Sequence, residues 1–158
     1  MQVYRIMTPA LECCMPADTV RKVAELMRQA DCGIIPVLAS EEDSRIVGVV
    51  TDRDLCMDVV AQGRDPNQVR VAECMTDQVI TCWPDDNLQH VANLMTDQQI
   101  RRIPVVDGRG AILGMVSLVD IARSLVSSAI VAVTLRDICK HTTAPSAPRL
   151  LKWMVQSR

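Results

Sequence analysis

Two stretches of the chain follow one pattern: Gly48-Val-Val-Thr51-Asp-Arg-Asp54 and Gly114-Met-Val-Ser117-Leu-Val-Asp120. Both belong to a longer duplication. When the sequence is shifted by 68 residues, Met7–Leu38 aligns with Met75–Val106 and 12 of 32 positions are identical. The two quoted stretches then align after the intervening loop is shortened by two residues. The chain is therefore a tandem repeat of one structural unit.

The first repeat predicts the order of elements in both. Apolar residues at helical spacing predict a helix over Asp18–Asp31, with Asp18 as its N-cap. Two short β-rich runs follow, Ile34–Leu38 and Ile46–Thr51, and then a helix over Asp52–Gln62 that Gly63 ends. A short extended piece around Glu12–Met15 precedes them. The unit is strand, helix, strand, strand, helix.

The second repeat predicts the same order with a longer last helix. The predicted elements are an extended piece, a helix, two strands and a helix, at Val79–Cys82, 86–95, Ile103–Val106, Ile112–Ser117 and Leu118–Cys139. The fold class is α+β, with two tandem β-α-β-β-α repeats. We expect repeat 1 to span residues 1–68 and repeat 2 to span 69–141. Residues 142–158, rich in Thr, Ala, Ser and Pro, are expected to form a flexible tail.

The duplicated motif places a hydroxyl and a carboxylate where a strand runs into a helix. Thr51 with Asp54, and Ser117 with Asp120, have the spacing of a capping box, which is sufficient as a structural explanation. The same groups also suit a nucleoside, since a carboxylate can accept both ribose hydroxyls and a hydroxyl at a helix start can help to hold a phosphate. The presence of two copies in one duplicated frame favours the binding interpretation.

With these motifs the chain resembles the CBS-domain family, named for cystathionine β-synthase, over roughly residues 5 to 126. The specific elements are Ile103-Pro104-Val105-Val106-Asp107 after an arginine pair, and the two glycine-to-aspartate motifs. The segment that runs from Thr51-Asp-Arg-Asp54 through Gly63 to Asp65-Pro66-Asn67, together with Ala129–Cys139, is similar to stand-alone bacterial CBS proteins of the hypoxic-response type. The resemblance implies a pseudo-twofold pair of repeats with two clefts that bind an adenine nucleotide (AMP, ADP or ATP) or a related adenosyl ligand.

The resemblance also assigns residues to each cleft. One cleft would join the hydroxyl and Asp of repeat 2 to the leading strand of repeat 1, with Cys32 and its neighbours lining a base pocket and an arginine pair meeting phosphates. Its residues would be Ser117, Asp120, Cys13, Cys14, Gly33, Ile34, Arg101 and Arg102. The other cleft would use Thr51 and Asp54 with Val79, Ile80 and Thr81.

The two clefts are predicted to differ. Thr81 matches the family's hydroxyl in the leading strand, whereas its counterpart Cys13 does not. The pair Arg101 and Arg102 has no equivalent in repeat 1, so only one cleft has clear cationic phosphate ligands. The alternative role of this pair is solubility or an ion pair with Asp107 or Asp120. The sequence leaves open whether Trp83, close to Thr81, stacks on a base or blocks the cleft.

Composition excludes other classes of function. The net charge is −2 with acids and bases interspersed, so no concentrated basic field is available for nucleic acid. Because no signal peptide or membrane-length apolar run is evident, we expect a cytoplasmic protein that does not bind membranes.

The seven cysteines form no C-x-x-C pair, and no metal site is expected from them. We expect no enzyme activity and no required cofactor, since His90 and His141 are the only histidines and no Ser/His or Cys/His arrangement lies within one repeat element. Two alternatives stay open: a redox-responsive module that uses Cys13 and Cys14, and a purely structural interaction module with no nucleotide bound.

Apolar helix surface predicts a homodimer with twofold symmetry, in agreement with the family resemblance. The residues concerned are Leu55, Met57, Val59 and Val60 in repeat 1 and Leu125, Val126, Ile130 and Val133 in the last helix. The partner protein that such a module would regulate is not indicated by the sequence.

Overall fold

The computed structural model describes residues 1–9 and 11–124, together with Ala132, Arg136 and Asp137. The first half contains helix α1, strands β1 and β2, and helix α2, which passes directly into a π-helical turn. Their bounds are α1 Val20–Gln29, β1 Ile34–Leu38, β2 Ile46–Thr51, α2 Asp52–Leu55 and the π-helical turn Cys56–Val60.

The second half has the same elements in the same order. They are α3 Leu88–Gln98, β3 Arg102–Val106, β4 Ile112–Ser117 and α4 Leu118–Arg123. A short 3-10 helix lies before each half, at Val3–Arg5 and Val71–Glu73. The mixed helix-and-strand fold predicted from the sequence is confirmed, and the strand bounds agree to within one residue.

Each half is built around an antiparallel pair of strands. Ile34 lies opposite Thr51 in β1/β2, and Arg102 lies opposite Ser117 in β3/β4. The predicted leading strand adds one residue to each pair, because Cys14 bridges to Val37, and Cys82 to Val105, in parallel orientation. The register places the start of the first strand beside the motif hydroxyl in each half.

The segments before each repeat are exchanged between the halves. The amide of Val3 donates to the carbonyl of Asp86 over 3.0 Å, and the amide of Val71 donates to the carbonyl of Asp18 over the same distance. Val3 is fully buried in the second core, whereas Val71 and Cys74 are buried in the first. The residues that pack around one core are therefore not contiguous in sequence, and the limits of the repeats, 1–68 and 69–141, stay a prediction.

The two motif glycines allow this exchange. A Cβ at Gly114 would lie 2.7 Å from the carbonyl oxygen of Thr8, and a Cβ at Gly48 would lie 2.7 Å from Sδ of Met75. Thr8 pairs with Met115 of β4, and in the other half Thr76 pairs with Val49 of β2. The glycines are therefore needed for the close approach of the exchanged segment.

The hairpin turns also join the two halves. The amide of Ile46 donates to the carbonyl of Gly110 over 3.1 Å, and the amide of Ile112 donates to the carbonyl of Ser44 over 3.0 Å. This reciprocal pair links the sheets at the ends of the hairpins that lie away from the motif hydroxyls.

Helix starts differ from the prediction because other side chains form the caps. Thr19 caps α1 by accepting from the amide of Lys22, while Asp18 accepts from the amide of Met15. Asn87 caps α3 in the same way, by accepting from the amide of Gln89. A run of polar residues before an apolar stripe offers several caps, and the backbone of the preceding turn decides among them.

The second helix of each half also differs from the prediction. The expected helix Asp52–Gln62 becomes π-helical at Cys56. The expected helix Leu118–Cys139 ends at Arg123, because Ser124 has an extended backbone with φ −67° and ψ 149°. The later apolar part of that predicted helix, which includes Ile130 and Val133, lies outside the described residues, as does the predicted tail.

Two of the residues predicted to form a dimer surface are core residues. Leu55 and Val59 are buried in the first core, whereas Met57 and Val60 are exposed. Of these four residues of the first half, Met57 and Val60 are therefore the ones available for contact with another chain.

Candidate ligand-binding site

Ser117 and Asp120 form a complete capping box at the start of α4. Oδ2 of Asp120 accepts from the Ser117 amide over 2.8 Å and from the Ser117 hydroxyl over 2.6 Å. The Asp120 amide in turn donates to Oγ of Ser117. The structural role predicted for the pair is thus fulfilled through Oδ2, and Oδ1 of this half-buried carboxylate is the oxygen left to meet a ligand.

Thr51 and Asp54 repeat this geometry in the first half. Oδ2 of Asp54 accepts from the Thr51 amide over 3.0 Å and from the Thr51 hydroxyl over 2.7 Å. The difference lies in accessibility, since Asp54 is only 5% exposed. A ligand therefore has less access to this carboxylate than to Asp120.

A pocket of about 450 Å³ opens next to Ser117. Arg101 and Arg102, at the start of β3, line it together with Arg123 near the end of α4; Leu118, Val119 and Ala122 provide apolar wall. The Leu118 amide donates to the Arg101 carbonyl over 2.9 Å and so fixes the start of α4 against that of β3. The volume of this pocket falls within the range of small-molecule pockets, about 300–1,000 Å³.

None of the three arginines that line this pocket forms an ion pair with another described residue. In the described part of the chain, ion pairs within 4.0 Å involve other cations, and Arg101, Arg102 and Arg123 are exposed. Asp107, one of the acids considered as their partner, instead accepts from the amides of Arg109 and Ala111. Guanidinium groups without carboxylate partners are suited to bidentate phosphate contacts.

The matching surface of the first half has different chemistry. Gly33, Ile34 and Met57 occupy the positions of Arg101, Arg102 and Arg123. Asp52 takes the place of Leu118, and a Cβ at Gly33 would lie 2.7 Å from its Oδ2. In the first half, Asp52 and Arg53 thus stand at the positions of Leu118 and Val119, and the three arginines of the second half have no cationic counterpart.

The other predicted site residues lie along the sheets. Ile34 pairs with Thr51 and so lies beside the hydroxyl motif of its own half. Gly33 lies beside the same motif, because its carbonyl accepts from the Asp52 amide over 3.1 Å. Cys13, Val79, Ile80 and Thr81 are half-buried in the leading segments, and Cys14 is buried. Their assignment to clefts that combine the two repeats stays a prediction. The indole of Trp83 is exposed and fills no part of the core.

The predicted redox pair has poorly reactive thiols. Burial and the nearby charge of Asp18 raise the pKa of Cys14 to about 12. Burial and the charge of Glu12 also raise the pKa of Cys13. Burial with the charge of Asp86 raises the pKa of Cys82, the counterpart of Cys14, to about 12. Because the thiolate is the reactive form, these values favour a packing role.

Arg123 is the pocket residue that sequence reasoning missed. It lies three residues after Asp120, a spacing that places two side chains on one helix face. That spacing was a usable signal. Its counterpart Met57 gave no repeated pattern that would have drawn attention to it.

Among the described residues, no three or more His, Cys, Asp or Glu side chains are grouped so as to hold a metal ion. The helices in that part of the chain are all too short or too polar to cross a bilayer.

The duplicated fold and its paired motifs define a class of tandem-repeat modules. Residues 3–60 and 71–127 both match the CBS domain, so the chain belongs to the CBS domain family. An uncharacterized protein of Methanopyrus kandleri is 38% identical over 67% of this chain. The chain spans 53% of that relative's length. Hypoxic response protein 1 of Mycobacterium tuberculosis is 33% identical, over 80% of this chain and 86% of the relative.

Solved structures show the same fold. Hypoxic Response Protein I, solved with two coordinated zinc ions, is 30% identical with a TM-score of 0.71 and covers 79% of this chain and 99% of its own. The CBS domain pair of protein MJ0100 was solved in complex with 5'-methylthioadenosine and S-adenosyl-L-methionine. It is 26% identical with a TM-score of 0.69, covering 78% of this chain and 94% of that one. CBS pairs similar to this chain thus include one that binds adenosyl ligands.

Proposed function

We propose that this protein is a regulatory module that binds an adenine nucleotide, AMP, ADP or ATP, or a related adenosyl ligand. The observation that carries the proposal is the pocket in which Arg101 and Arg102 lie beside Ser117, whose hydroxyl donates to Asp120 at the start of α4. The carboxylate would accept hydrogen bonds from ribose hydroxyls, and the guanidinium groups would bind phosphate.

The second half is the proposed principal site. Its carboxylate is more accessible than Asp54, and its cations have no counterpart in the first half. The adenine is proposed to lie against the leading segment of the first repeat, at Cys13 and Cys14, as the family resemblance implies. The pair of repeats would then sense the ligand because ligand binding bridges them. Regulation in the cytoplasm, rather than catalysis, is the proposed role.

The two rival functions are weaker. A redox module would need a reactive thiol, and the raised pKa values of Cys13 and Cys14 leave little thiolate at neutral pH. A purely structural module would not need unpaired arginines around a pocket, because solvation alone does not require them to line one cavity.

A ligand screen tests the proposal. Thermal unfolding would be followed with adenosine, AMP, ADP, ATP, 5'-methylthioadenosine and S-adenosyl-L-methionine. A ligand at 100 times its dissociation constant should stabilise the fold by roughly 2.7 kcal/mol. If none of them at millimolar concentration raises the melting temperature, nucleotide sensing is wrong and the structural module is favoured.

The arginine pair can be tested separately. Arg102→Ala should weaken ATP binding measured by calorimetry and leave adenosine binding nearly unchanged, because adenosine carries no phosphate. Equal losses for the two ligands would show that Arg102 does not bind phosphate.

We also propose a twofold homodimer. Met57 and Val60 are exposed on one helix, at 45% and 72%, and such apolar surface is often covered by a second chain. Light scattering at micromolar concentration should give twice the mass of the 17.5 kDa chain. A monomer mass would contradict the proposal, and Val60→Asp should favour the monomer while leaving the repeat cores folded.

A further inference from the structure

The pocket contains one cation more than the arginine pair that suggested it. Arg123 lines the pocket from α4, on a different element from Arg101 and Arg102, which lie at the start of β3. All three are exposed, and none takes part in an ion pair in the described part of the chain. Three like charges around one cavity repel each other, and a bound anion would relieve that repulsion.

The third cation also indicates the charge of the anion. The backbone of Arg123 lies about 9 Å along the helix axis from Ser117, at 1.5 Å per residue, and its side chain lines the same pocket as the arginine pair. Three guanidinium groups around one pocket match the larger negative charge of a chain of two or three phosphoryl groups better than that of a single phosphoryl group.

The first half offers a built-in comparison. Met57 occupies the position of Arg123, and Gly33 and Ile34 occupy those of the arginine pair. The cations are thus present together in one half and absent together in the other. This is the pattern expected if they act on one ligand, and scattered solubilising charges would not require it.

We propose that Arg123 is a specificity-determining residue that makes this pocket selective for a nucleoside di- or triphosphate over a monophosphate. This inference rests on the proposed nucleotide-binding function and adds the phosphate number to it. Arg101 and Arg102 bind the phosphate nearest the ribose, and Arg123 binds the terminal phosphate.

The experiment compares Arg123→Met, which introduces the residue of the first half, with Arg109→Met. Arg109 lies in the hairpin turn at the opposite end of β3 and β4, so this control removes the same charge away from the pocket. Calorimetry with EDTA would measure adenosine, AMP, ADP, ATP and inorganic tripolyphosphate. For Arg123→Met we expect at least tenfold weaker binding of ATP and tripolyphosphate, and less than a threefold change for AMP and adenosine. Arg123→Lys should restore part of the loss.

Each other outcome has a defined meaning. If the unmodified protein binds all nucleotides with similar affinity, or if Arg123→Met weakens AMP as much as ATP, the inference is overturned while the proposed function stands. If tripolyphosphate binds and requires Arg123 but adenine compounds add nothing, the polyphosphate selectivity stands and the nucleotide function fails. If nothing binds, both are overturned.

Discussion

The two halves of the molecule have nearly the same frame and different binding surfaces. The hydroxyl-to-carboxylate distances of the two capping boxes are 2.7 Å and 2.6 Å. Beside these matching boxes, one half has Asp52 and the other has Arg101, Arg102 and Arg123. The residues common to both repeats, including the two motif carboxylates, build the same fold in each half. The proposed preference for the second half would come from the greater access to Asp120 and from positions at which the repeats differ.

The largest effect is expected from the carboxylate of the second half. Asp120→Ala should weaken the best-binding nucleotide more than about a hundredfold, because two hydrogen bonds from ribose to a charged group contribute roughly 1.5–3 kcal/mol each. The matched change Asp54→Ala should alter that affinity less than threefold and should mainly lower stability, since Asp54 is buried in its box. Calorimetry and urea unfolding of both variants check this. Comparable losses of affinity in the two would contradict the proposed difference between the halves.

The next effect concerns the exchanged segments. Gly114→Ala should destabilise the protein by about 2 kcal/mol, as overpacking against a rigid group commonly does, because the new Cβ would lie 2.7 Å from the Thr8 carbonyl oxygen. Gly48→Ala should cost less, since its nearest atom is Sδ of the flexible Met75 side chain. The midpoint of urea unfolding measures the stability of both variants, provided that the slope of unfolding free energy against urea concentration is unchanged. An equal or reversed order would mean that the segments pack differently.

A smaller effect would show which core each segment completes. Val3→Ala and Val71→Ala each remove two methyl groups from a fully buried position, at a cost of about 1.5 kcal/mol. Hydrogen exchange should become faster around α3, β3 and β4 for the Val3 variant, and around α1, β1 and β2 for the Val71 variant. If each variant instead loosened its own sequence repeat, the exchange of segments would be wrong.

Much of the fold can be predicted from the sequence, because the spacing of apolar residues and the duplication indicate the same helices and strands. The bounds of β1 and β2 follow from the apolar runs at Ile34–Leu38 and Ile46–Thr51, and the capping boxes follow from their spacing. The exchange of segments cannot be predicted in this way. Val3 and Val71 lie in short segments of mixed apolar and polar residues, and the pattern does not show which of two similar cores they enter.

The pocket was predicted only in part for a similar reason. The arginine pair stands beside a strand motif and was recognised, whereas Arg123 stands in a helix where exposed arginine is ordinary. Only the packing of α4 against the start of β3 brings Arg123 into the same cavity. The helix ends were missed because local caps, such as Thr19 and Asn87, compete with the acidic residues nearby.

The smallest effect concerns the pH dependence of stability that Cys14 and Cys82 cause. It should be the same in both halves, in contrast to the effects expected at the pocket. Burial, with a neighbouring aspartate, raises the pKa of Cys14 and of its counterpart Cys82 from 9.0 to about 12. A thiol with a raised pKa in the folded state favours folding fully below pH 9, and this contribution is lost as the pH rises toward 12, because the unfolded chain ionises first. Each thiol should therefore lower stability by under about 1 kcal/mol at pH 9.5. Urea midpoints between pH 7 and pH 10.5 should fall less steeply for Cys14→Ala and for Cys82→Ala than for the unmodified protein, and by similar amounts. If neither change reduces the slope, these thiols are more accessible than the fold indicates, and the redox alternative regains support.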